Sequence, residues 1–292
     1  MKVEERLKLK RKAVERELEN ILSQENSLLF QAMRYAVFSG GKRFRPLLTL
    51  SSGECFGASP DLVLPFACAL ELIHNYSLVH DDLPSLDNDD LRRGKPSCHK
   101  AYGEDIALLA GDSLLTMAFE IAAQAPLRND LQIKRGQIIK EISQFAGVKG
   151  MVGGQLMDIT LSQDVLTEET YHELILKKTG SLIIASVKTG AILGEAGDSE
   201  LEAVIKYGRN VGLAFQVRDD ILDSGKDAQK GRLPRPNSVS LFGLKDSERR
   251  LKDFVEAAKN ALDEASLESE ELNYLAAKLL ELEKRSENEQ NS

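Results

Sequence analysis

The chain has 292 residues, 42% hydrophobic and 29% charged, a balance that excludes a disordered chain and leaves one large domain or two small ones open. A formal net charge of −8 with no basic stripe excludes a nucleic-acid partner. Three cysteines (Cys55, Cys68, Cys98) without metal-type spacing read as reduced thiols rather than a disulfide frame.

The first segment, MKVEERLKLKRKAVERELEN, is charged throughout and has no secretory apolar stretch. Its Leu7, Val14, Leu18, Ile21 and Leu22 form one apolar stripe, so a helix is predicted there. Helical periodicity continues over 27–38, 46–56, 60–82, 103–123, 131–148, 167–195, 199–223, 245–264 and 270–285. Alternating β-branched runs are scarce, so no strands are expected. Most prolines (Pro60, Pro126, Pro234, Pro236) lie between the proposed helices, and the tail from about 285 has nothing apolar to pack. No uninterrupted apolar run approaches the ~18 residues of a membrane span. One all-α domain over 1–292, soluble and cytoplasmic, is the expectation.

Two aspartate clusters stand out. The first, His80-Asp81-Asp82-Leu83-Pro84-Ser85-Leu86-Asp87-Asn88-Asp89-Asp90, follows the apolar run Leu62–Val79. Pro84 ends the helix, so Asp87 is expected to fold back toward Asp81 through a loop. The second is Asp219-Asp220-Ile221-Leu222-Asp223, with Asp219 and Asp223 one turn apart on one helix face and expected to enter the interior. Gathering five or six partly buried carboxylates costs several kcal/mol per ion unless a cation joins them. A hard divalent ion bound through carboxylates and substrate phosphates, Mg²⁺, meets that need, and no EF-hand loop is present to favour calcium.

Cations for phosphate occur as Gly40-Gly41-Lys42-Arg43-Phe44-Arg45-Pro46, Arg92-Arg93-Gly94-Lys95 and Lys178-Thr179-Gly180. His74 stands two helical turns before Asp81, and Gln216 one turn before Asp220. Taken singly, each has a plain structural reading: a glycine turn, local charge balance, a core histidine, a helix-to-helix hydrogen bond. The combination supplies one anion site apart from the acids and others beside them.

These residues resemble the trans-isoprenyl diphosphate synthases, particularly the bacterial farnesyl diphosphate synthases. The resemblance runs from about Leu29 to Asp223 through the basic loop, Ile73 to Asp82, Asp87 to Gly94, Ala110-Gly111-Asp112, Gly153-Gly154-Gln155, Lys178-Thr179-Gly180 and Phe215 to Asp223. It implies a helical bundle around a deep central cavity, usually as a homodimer. Asp81, Asp82, Asp87, Asp219, Asp220 and Asp223 would face each other across it and bind Mg²⁺. The cations would grip an allylic diphosphate assisted by Arg92, Lys178 and Gln216, while Gly41, Lys42, Arg45, His74 and Arg93 hold isopentenyl diphosphate. Thr179 and Gln216 would present dipoles to the allylic cation. Tyr76 and Ser77, one turn before Asp81, would floor the product pocket; a core tyrosine is the plain alternative. One departure stands out: after Asp223 the loop is shorter than the family's, Arg235 stands near the family's lysine, and Lys226 or Lys230 would substitute. The implied product is farnesyl diphosphate, with geranyl or geranylgeranyl diphosphate and a non-catalytic partner subunit as alternatives. A terpene cyclase has no need of the second anion site.

Overall fold

The computed structural model describes residues 1–161, 166–224 and 237–282. The fold is all-α, divided into two compact units: residues 1–142 with 185–196, and 143–184 with 197–292. The shortened loop with Lys226, Lys230 and Arg235, the prolines Pro234 and Pro236, and the tail from 285 lie outside the described residues.

The first unit holds α1 (Val3–Leu22), α2 (Leu28–Phe38), α3 (Phe44–Cys55), α4 (Pro60–Asp81), α5 (Cys98–Tyr102), α6 (Glu104–Gln124) and most of α7 (Gln132–Ala146). All five residues of the predicted α1 stripe are buried. Helix α4 starts on Pro60, a position where a missing N–H is harmless. It is apolar nearly all round, with Phe66, Ala67, Cys68, Ala69, Leu70, Leu72 and Ile73 fully buried, which makes it the unit's central helix. Helices α3 and α6 pack on it. The end of α10 (Ser181–Leu193) joins this unit through Ser52, whose hydroxyl donates to the Val187 carbonyl at 2.6 Å.

The second unit holds α8 (Met151–Thr160), α9 (Glu168–Ile175), α11 (Asp198–Asp223), α12 (Ser238–Phe242), α13 (Leu244–Asp263) and α14 (Glu270–Ala277). The predicted helix over 167–195 is broken by a π turn at Leu176–Gly180, a feature often found at functional sites. Two glycines permit close packing here. A side chain on Gly154 would collide with the Lys178 backbone, and one on Gly212 would come within 2.7 Å of the Gly180 Cα.

One expectation is corrected. A two-residue antiparallel ribbon, β1 (Leu91–Arg92) with β2 (Lys95–Pro96), forms where no strand was expected. Its turn, Arg93-Gly94, takes positive φ at both residues (54° and 80°), the twist a two-residue hairpin needs. Both α4 and α6 are also long and apolar enough to cross a membrane by length and composition, because scattered polar residues do not lower the average enough. Core helices pass the same test, and most of the α4 window is buried within its unit.

Candidate functional site

In the first unit, α4 ends as Pro84 approaches and the chain doubles back over the helix terminus. The Asp87 N–H donates to the Asp81 carbonyl at 2.8 Å, Asn88 to Leu83 at 3.1 Å and Asp89 to Asp82 at 3.2 Å. The aspartates part company within this turn. Asp81 and Asp87 stay half-buried, whereas the Asp82 side chain is 3% exposed and gripped by Arg92. Arg92 Nε donates to both carboxylate oxygens at 3.0 and 3.1 Å, and Nη2 adds a further bond. Burial raises the Asp82 carboxyl above its ordinary value, against the pull of Arg92.

The turn parts the two arginines: Arg92, on β1, stays on the acid side, while Arg93, at positive φ in the turn, reaches the basic loop. Its Nη1 donates to the Gly40 carbonyl, and its guanidinium lies where any Gly41 side chain would sit, 2.8–3.1 Å from that Cβ position. Gly40 and Gly41, at φ of 117° and 127°, accommodate this approach. Arg43 anchors the loop from beneath. It is 3% exposed, pairs with Glu71 at 3.0 Å and donates to the Val37 carbonyl at 2.8 Å. Asn75 backs the pair by donating to the Glu71 carbonyl. The anchoring leaves Lys42 exposed and Arg45 buried. His74 is held well below its ordinary pKa, first by burial and then by the charges of Arg45, Arg93, Arg92 and Arg43. A neutral imidazole in the field of four guanidiniums is a strong anion environment.

Tyr76 is 6% exposed, and its ring meets His80 edge-on at 5.6 Å. Burial and the neighbouring Asp81 push its hydroxyl up to about 12. Ser77 donates back to the His74 carbonyl at 2.9 Å. His80 packs directly on Gly111, whose missing side chain makes the room.

In the second unit the π turn presents Lys178 and Thr179. Lys178 Nζ donates to Asp158 Oδ2 at 2.5 Å, and the Thr179 hydroxyl donates to Gln216 Oε1 at 2.8 Å. Gln216 Nε2 donates to Asp220 Oδ1 at 2.9 Å, while Asp220 Oδ2 accepts from the Tyr171 hydroxyl at 2.5 Å and the Ser238 N–H at 2.7 Å. Burial raises Asp220 above the usual carboxylate value against these three donors; burial and Asp220 together raise Tyr171. The expectation that Asp219 and Asp223 enter the interior is corrected. Asp219 is 41% exposed and reached by Arg218 at 3.4 Å, and Asp223 is exposed. Facing the same way along a helix does not decide how deep that face lies.

Among the described residues, no cluster of three or more carboxylate, histidine or cysteine groups is close enough to hold a metal by itself. The donor chemistry nonetheless fits a hard ion. Each unit offers oxygen ligands from outer aspartates, and Mg²⁺ is commonly held through one or two carboxylates plus substrate phosphate. Sequence reasoning passed over Glu71, Arg43, Asp158 and Tyr171. A glutamate within the apolar run of α4 was the signal for Glu71, since so buried a charge needs a partner.

The polyprenyl synthetase family profile matches residues 26–234. The chain is 38% identical over 288 residues to a farnesyl diphosphate synthase of Geobacillus stearothermophilus, covering 94% of this chain and 96% of that one. It is 40% identical over 250 residues to a geranylgeranyl diphosphate synthase of Cyanophora paradoxa, covering 81% of each. A crystal structure of an FPP/GFPP synthase from Zymomonas mobilis superposes with a TM-score of 0.85 at 34% identity, covering 95% of this chain and 98% of that one.

Proposed function

This chain belongs to the polyprenyl synthetase family and is a short-chain prenyltransferase, and from that premise we propose that it condenses isopentenyl diphosphate with dimethylallyl or geranyl diphosphate to give farnesyl diphosphate. The observation that carries this reading is the anion environment around His74, built from Arg45 and Arg93 beside the Gly40–Lys42 loop. A prenyltransferase needs a diphosphate site for the nucleophilic substrate distinct from the one holding its leaving group. In the first unit, Arg93 serves that role while Arg92 serves the aspartates.

Asp81, Asp82, Asp87, Asp219, Asp220 and Asp223 form the proposed metal-holding set. Bound Mg²⁺ would neutralise the negative charge developing on the departing diphosphate. Lys178, now resting on Asp158, and Arg92 hold the allylic diphosphate. Thr179 and Gln216 direct dipoles at the allylic cation in a site that excludes water. Lys42, Arg45, His74 and Arg93 orient isopentenyl diphosphate so that its double bond attacks the allylic carbon, and the released diphosphate takes the proton. Tyr76, with Ser77, closes the product pocket. We assign the chain to the cytoplasm, and we read it as a homodimer, a reading supported by the exposed Leu108 (47%) and Leu109 (51%) on α6.

Substituting Arg45→Met tests this. Losing a charge-assisted contact predicts a rise of about tenfold or more in KM for isopentenyl diphosphate. The allylic KM stays near its starting value. Equal rises for both substrates would remove the case for a separate second site.

A further inference from the structure

We propose that Tyr171 is a positioning residue for prenyl transfer, acting through Asp220, which serves as the anchor of a directed hydrogen-bond relay rather than as a direct metal ligand. The inference rests on the prenyltransferase reading and refines its aspartate set.

The direction of the relay follows from donor chemistry. An ionised carboxylate only accepts. Asp220 takes the Tyr171 hydroxyl and the Ser238 N–H on Oδ2 and the Gln216 amide N–H on Oδ1. Gln216 must therefore turn its NH₂ to Asp220 and its carbonyl oxygen to Thr179. That carbonyl accepts the Thr179 hydroxyl proton, so the lone pairs of Thr179 Oγ1 point away from Gln216. One carboxylate thus fixes an amide flip and a hydroxyl rotor, and a cation near Thr179 meets oxygen lone pairs rather than a hydroxyl proton.

Three donors on Asp220 also tie α9, α11 and α12 together at the level of the aspartate motif. The phenol ring is 1% exposed and packs with Ile175 and Leu213, edge-on to Phe242 at 6.0 Å. Tyr171→Phe keeps that packing and removes only the relay's first donor.

The test combines kinetics with calorimetry of pyrophosphate binding as Mg²⁺ is titrated, on Tyr171→Phe, Asp220→Asn, Asp219→Asn, Thr179→Val and the Tyr171→Phe/Thr179→Val double variant. Loss of one hydrogen bond to a charged group predicts a fall of about tenfold in kcat for Tyr171→Phe. KM and the Mg²⁺ dependence of pyrophosphate binding stay within about twofold for Tyr171→Phe and Asp220→Asn, while Asp219→Asn raises the Mg²⁺ requirement by about tenfold or more. In the Thr179→Val background, Tyr171→Phe has less than about a twofold further effect, because the relay's far end is gone. The inference is overturned by additive effects, by an unchanged kcat with only a lowered Tm, or by Asp220→Asn raising the Mg²⁺ requirement as much as Asp219→Asn. Wild-type protein that binds no pyrophosphate with Mg²⁺ would overturn the prenyltransferase site itself, a result distinct from normal binding without coupling.

Discussion

The two aspartate motifs solve one problem in different ways. In the first unit the inner aspartate, Asp82, is buried against a guanidinium; in the second, Asp220 is half-buried and held by a phenol, an amide and a backbone N–H. Burial raises both carboxyls above their ordinary value. A charged clamp returns Coulomb energy but leaves an uncompensated buried ion when broken. A neutral clamp spreads the same task over several weaker bonds. What they share is that the inner residue is tied down and the outer ones are set in more open positions.

That contrast is sharpened first by stability. Arg92→Ala strands Asp82, and breaking a buried pair costs about 3–5 kcal/mol; with Arg92 itself 30% exposed, the lower end of that range is expected. Urea unfolding measures it, and adding Asp82→Asn should restore most of the loss. Tyr171→Phe should cost less, about 1–2 kcal/mol, because two donors remain on Asp220. If the two single variants prove equally destabilising, the charged and neutral clamps do not differ as described.

Product length provides a second contrast. Tyr76 and Tyr171 are both buried tyrosines raised by burial and an adjacent aspartate, Asp81 in one case and Asp220 in the other. Tyr76→Ala should shift the product distribution beyond C15, read by separating labelled products, whereas Tyr171→Phe should slow turnover at unchanged length. An unchanged C15 profile for Tyr76→Ala would refute the floor role.

The smallest effect is on pH dependence. A carboxyl whose folded pKa is raised contributes stability that is full below its unfolded value of about 3.9 and lost as pH rises through the folded value. Asp82→Asn and Asp220→Asn should each remove that falling contribution, so the stability difference between wild type and variant shifts against the wild type as pH rises above about 4. A difference that shifts in the wild type's favour over that range would mean the carboxyl is not raised.

Much of this was legible in the residues because the strongest signals are local. The α1 stripe, the long apolar α4, Pro84 ending it and the return of Asp87 to Asp81 all follow from periodicity or backbone chemistry. Short elements were not: α5, α12 and the Arg93-Gly94 ribbon are too brief for a period to register, and although Lys178-Thr179-Gly180 reads as an interruption of the 167–195 helix, its π geometry shows only in the structure, with Gly154 and Gly212 packing beside it. The Asp158–Lys178 and Tyr171–Asp220 bonds join residues 20 and 49 positions apart, and no spacing rule reaches that far. Depth was also misjudged, since α11 leaves Asp219 and Asp220 half-buried and Asp223 exposed.

The account turns on elongation itself. Purified protein is incubated with labelled isopentenyl diphosphate, Mg²⁺ and C5 or C10 allylic diphosphate, and the products are separated by length. A C15 diphosphate from both acceptors is the predicted result; label left entirely in the C5 substrate with every acceptor would contradict it.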